Sequence, residues 1–60
     1  MRFRELEKIL KDDGWQYVDT KGSHHHYKHP TKPGKVTIPF HITDLKTKTA
    51  NSILKQAGLK

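Results

Sequence analysis

The 60-residue chain predicts an α+β fold of order α-β-β-β-α, with a three-stranded antiparallel sheet and two helices packed on one face. Three observations carry this. Apolar residues recur at helical spacing near each end, and each of these stripes closes on a glycine, Gly14 and Gly58. Between them lie three short runs rich in aromatic and β-branched residues, separated by glycine and proline.

In the first helix, Phe3 to Asp13, Phe3, Leu6, Ile9 and Leu10 form the stripe while Arg4, Glu7, Lys8 and Lys11 fall outside it. Gly14 can take the left-handed conformation that ends a helix, and Trp15 just beyond is placed for the accompanying apolar contact. Trp15 to Thr20 then reads as a strand, Lys21-Gly22 as a turn, and the histidine-rich run that follows as the second arm of a hairpin. Pro30-Thr31-Lys32-Pro33-Gly34 reads as a loop, and Val36 to Phe40 as a third strand in which Pro39 suits a sheet edge, since proline donates nothing to a ladder. Ala50, Ile53, Leu54 and Ala57 mark a second helix over about 46–57, capped by Gly58 and Leu59 as the first is by Gly14 and Trp15.

Sixty residues make one domain, and a domain of this size buries only about 60% of the surface its unfolded chain exposes. With 32% hydrophobic residues, one Trp, two Tyr and two Phe, there is material for one covered sheet face but not for an enclosed cofactor pocket, so no cofactor is expected. The absence of cysteine excludes disulfides and thiolate metal sites. Charges stand where a secretory signal needs its apolar region and no run approaches the ~18 residues of a membrane span, so the expected location is cytoplasmic. Twelve Lys+Arg against six Asp+Glu give a net charge of +6, which favours nucleic acid or an acidic protein as partner.

Four of the five histidines fall between His24 and His29. Side chains two apart on a strand share a face, so Tyr27 turned into the core takes His25 and His29 with it, leaving His24, His26 and Lys28 outward. On the third strand Val36, Ile38 and Phe40 are expected inward, with Lys35 and Thr37 outward. The outer face then joins imidazoles, which move protons near neutral pH, to ammonium and hydroxyl groups that can hold a phosphate.

Gly14-Trp15, Gly22-Ser23-His24-His25, Tyr27-Lys28-His29-Pro30, Val36-Thr37-Ile38-Pro39 and the tail from Ser52 to Leu59 together resemble the HicA family of bacterial and archaeal toxins. The likeness spans essentially the whole chain. It implies a fold like the double-stranded-RNA-binding domain and an mRNA interferase, an endoribonuclease that arrests growth by cleaving messenger RNA. It also implies a partner, the HicB antitoxin, which covers the active surface. In that family the catalytic histidine is the first after the Gly-Ser pair, here His24, the same residue that alternation turns outward. The chain departs from the family at His26, a variable position, at Ala50, where leucine is frequent, and at Phe40-His41-Ile42-Thr43, which replaces a His-Pro-rich loop.

The expected chemistry uses the 2′-hydroxyl of RNA as nucleophile, His24 as general base or as acid on the leaving oxygen, and no metal. His26 is the candidate auxiliary proton carrier, and Lys21, Ser23, Lys28 and Lys35 are the expected RNA-binding residues. The toxin is expected to be a monomer when free and a hetero-oligomer with its antitoxin. Other readings of the same residues are a non-catalytic RNA-binding module, a purely protein-binding domain, and a zinc site built from His24, His26 and His41.

Overall fold

The computed structural model describes residues 1–40 and 44–60. The elements run α1 (Phe3–Asp12), β1 (Gln16–Lys21), β2 (His24–Lys28), β3 (Lys35–Pro39) and α2 (Thr47–Gln56). The three strands form an antiparallel meander in the order β1-β2-β3, so the histidine strand is central and β3, with Pro39, is an edge. Among the described residues no helix is long and apolar enough to cross a membrane.

Both helices end as their glycines predict. After α1 the Trp15 amide donates to the Leu10 carbonyl at 2.9 Å and Gly14 to Lys11 at 3.0 Å; after α2 Leu59 donates to Leu54 at 2.8 Å and Gly58 to Lys55 at 3.1 Å. These are paired Schellman caps, each built on a glycine of positive φ, 105° at Gly14 and 73° at Gly58. At the other end of α1, the Glu5 carboxylate accepts the Arg2 amide at 3.0 Å, satisfying one of the first-turn donors that a helix leaves open.

Phe3, Leu6 and Leu10 of α1 and Ile53 and Ala57 of the α2 region pack on Tyr27, Val36 and Ile38, with Trp15 and Leu45 closing the core. Ile9 is only half-buried. Glu7, expected outside the stripe, instead accepts a hydrogen bond from the Tyr27 hydroxyl, because a phenol at the core margin needs a partner and Glu7 lies one turn from Phe3. Burial, then the Glu7 carboxylate, pushes the Tyr27 phenol well above its usual value.

One expectation about coverage is corrected. Phe40 does not enter the core; at 46% exposed it stands past the end of β3, its ring 5.1 Å from Phe3 and 5.6 Å from His25. All six residues of β1 are exposed, so the buried layer lies under β2 and β3 while the first strand projects beyond it. The hairpin turn is Gly22-Ser23, with Lys21 ending β1 and a positive φ only at Gly22, the pattern of a two-residue turn with glycine first.

The loop after β2 is pinned rather than loose. His29 donates from Nε2 to the Asp13 carbonyl at 2.7 Å and accepts at Nδ1 from the amides of Thr31 at 3.1 Å and Lys32 at 3.0 Å, which fixes its tautomer. Lys32 reaches the Asp13 carboxylate and the Ala57 carbonyl together, joining the C-terminal ends of both helices where a cation is favoured. Its ammonium holds the Asp13 carboxyl below the usual carboxylate range.

Candidate nucleic-acid interface on the open sheet face

Residues paired across antiparallel strands share a face, so the register defines the surface opposite the helices. One row reads Lys21, His24, Pro39; the next reads Asp19, His26, Thr37; the third reads Gln16, Lys28, Lys35. Tyr27 with Val36, and His25 with Ile38, occupy the helix side.

His24 is exposed at the start of the central strand and has no hydrogen-bond partner among the described residues. No described residue engages either ring nitrogen. His26, about 7 Å further along the same strand face, is half-buried and bonded through Nδ1 to the Thr37 hydroxyl at 2.9 Å. That bond restrains the ring and leaves Nε2 without a partner among the described residues.

Lys28 and Lys35 are directly opposed and both exposed. Like charges at such a pair are destabilising by themselves, and an anion between them removes the repulsion. Lys21 lies beside His24 in the first row. Ser23 sits in the exposed turn, where its carbonyl accepts the Phe40 amide at 2.7 Å, so this residue ties the end of β3 to the hairpin. The structure thus brings His24, His26, Lys21, Lys28 and Lys35 onto one face, with Ser23 at its rim.

Asp19 is a member of this face that sequence reasoning missed. Between Tyr17 and Asp19 the register shifts, two residues of β1 spanning one step of β2 at Val18. Plain alternation from an inward Tyr17 would turn Asp19 and Lys21 inward as well; the bulge reverses the parity and puts both outward. No local signal in Val18-Asp19-Thr20 announces a bulge.

His25 and His29 serve the helix side. His25 packs 4.9 Å from the Phe3 ring and lies 3.4 Å from the Thr20 hydroxyl, and His29 stands edge-on to Trp15 at 5.2 Å. Of the three residues considered as zinc ligands, His24 and His26 share the open face, and His41 lies outside the described residues, as do Ile42 and Thr43 of the segment that departs from the family.

Residues 3–59 match the family model described as the HicA toxin of bacterial toxin–antitoxin systems. No curated protein matches the chain.

Proposed function

The chain belongs to the HicA family of toxins of toxin–antitoxin systems, and from that premise we propose that it is a metal-independent endoribonuclease that cleaves messenger RNA and is inhibited by a HicB antitoxin. The observation that carries the reading is the exposed His24 imidazole on the open face, unbonded among the described residues, beside Lys21 and with the Lys28–Lys35 pair two rows further along the same face.

RNA supplies its own nucleophile. A phosphodiester lying over His24 and His26, between Lys21 and the Lys28–Lys35 pair, presents its 2′-hydroxyl and its 5′-oxygen on either side of the phosphorus. Removal of the 2′-hydroxyl proton lets that oxygen attack, the P–O5′ bond breaks, and the departing oxygen takes a proton. The products are a 2′,3′-cyclic phosphate and a 5′-hydroxyl. His24 is the principal proton carrier in this scheme and His26 the auxiliary one, acting at the opposite end of the displacement. Lys28 and Lys35 offset the charge that grows on the phosphoryl oxygens. General acid–base help of this kind is worth about 10²–10⁴-fold. The antitoxin inhibits by laying an acidic surface over the same face, giving a hetero-oligomer from a toxin that is monomeric when free.

The test incubates purified protein with a long single-stranded RNA at low salt in the presence of a chelator, beside a His24→Ala variant. Fragments bearing 5′-hydroxyl ends are expected from the unmodified protein, at a rate about 10²–10⁴-fold above the variant's. Binding without fragments from the unmodified protein rejects the enzyme in favour of an RNA-binding module. Cleavage retained by the variant rejects His24, and cleavage by a fully occupied antitoxin complex rejects inhibition by occlusion.

A further inference from the structure

A groove of about 370 Å³ runs along the free edge of β3, with Thr37 and Pro39 on one side and residues of α2 on the other. We infer that this groove is the subsite for one unpaired nucleobase of the RNA, that of the nucleotide next to the phosphate held at His24. The inference rests on the ribonuclease reading and adds to it the place where sequence is read.

Position is the first argument. Pro39, which lines the groove, is the cross-strand partner of His24, so one strand spacing, about 5 Å, separates the proposed proton carrier from the groove's near wall. Thr37, on the same wall, is the residue bonded to His26. A chain whose phosphate lies over His24 and which crosses β3 therefore meets the groove with its next base.

The lining is the second argument. Ile53 is buried and forms an apolar floor with the Pro39 ring, a surface against which the flat face of a base can lie. Around it stand the hydroxyls of Thr37, Thr49 and Ser52 and the amide of Gln56, whose Nε2 donates to the Ser52 hydroxyl at 3.5 Å, a long contact that leaves its second N–H and its carbonyl side by side for a base edge. Lys48 at the rim supplies a cation for the backbone. RNA sequence is read where bases are splayed from the strand, stacked and bonded on their edges, and this groove has a surface for each contact.

Two variants on the exposed side of α2 test it, Gln56→Ala, which removes the amide, and Ser52→Trp, which fills the groove; circular dichroism checks that each is folded. The 5′ ends of fragments from a long single-stranded RNA are sequenced for the unmodified protein and for both variants. A base preference of about tenfold or more at one position beside the cut, as one bidentate amide–base pair gives, is expected to flatten in Gln56→Ala. Cleavage is expected to slow at every site in Ser52→Trp. Cut-site profiles and rates identical to the unmodified protein's in both variants overturn the groove while leaving the ribonuclease standing. If the unmodified protein cuts nothing, the ribonuclease reading fails, and amide shifts on adding a single-stranded hexanucleotide decide the groove separately. Shifts at Thr37, Ser52 and Gln56 retain it as a base site, and shifts confined to other residues, or none, reject it.

Discussion

A Cβ added at Gly14 would stand 2.7 Å from His29 Nε2, on a backbone whose φ of 105° L residues rarely adopt. Strain of that kind costs about 1–3 kcal/mol, so Gly14→Ala is expected to lose at least that much in urea denaturation. Gly58→Ala, where the nearest atom is the flexible Lys32 ammonium at 3.7 Å, should lose less. Tyr27 makes a prediction of opposite character. Its folded value is raised above the ordinary phenol value of 10.0, so the native state holds the proton more tightly than the unfolded chain does. The stability this gives is complete below about pH 10 and declines as pH climbs beyond it. Alkaline unfolding should begin there and be blunted in Tyr27→Phe; identical alkaline profiles would remove Tyr27 as the cause. His24 is the residue whose exposure was legible from sequence alone, because strand alternation around a core tyrosine settles it. Glu7 was not, since its role depends on where the Tyr27 hydroxyl ends.

At the scale of elements, the helices and their caps were readable because each depends on contacts within a few residues. Leu10 shows how much rests on them: it is fully buried at the last turn of α1, and its carbonyl accepts the Trp15 amide that closes the cap. Leu10→Ala should cost about 2–5 kcal/mol. A 60-residue domain has roughly 3–9 kcal/mol in total, so the variant is expected to be largely unfolded by 37 °C in a thermal melt. A two-state melt displaced by only a few degrees would show that the site collapses around the cavity. β1 is the element least legible beforehand. Its pattern of aromatic and β-branched residues marks a strand, yet which side each residue takes follows from the bulge at Val18, and that shift exists only in the pairing with β2. Phe40 was misplaced for a related reason, since the strand it was assigned to ends one residue earlier, at Pro39.

For the molecule as a whole, the net charge of +6 belongs to two different uses. Lys32 is committed to Asp13 and the end of α2, whereas Lys21, Lys28 and Lys35 share the open face. Three phosphate contacts on a single strand give a slope of about −2 in log K against log salt, close to 0.7 for each lysine. RNA binding measured between low and physiological salt should show that slope, and Lys28→Gln should reduce it by about 0.7. A slope unaltered in Lys28→Gln would take that lysine out of the interface. By itself the sequence determined the order of elements, their caps, the small single core and the outward turn of His24 and His26, because periodicity and capping are local preferences written into neighbouring residues. Only the tertiary structure decided that a bulge turns Asp19 to the face of the histidines along with the expected Lys21, that Lys32 serves the fold, and that a groove opens beside Pro39. Each of these depends on which distant segment comes to lie alongside, through pairing register and helix packing that no local preference encodes.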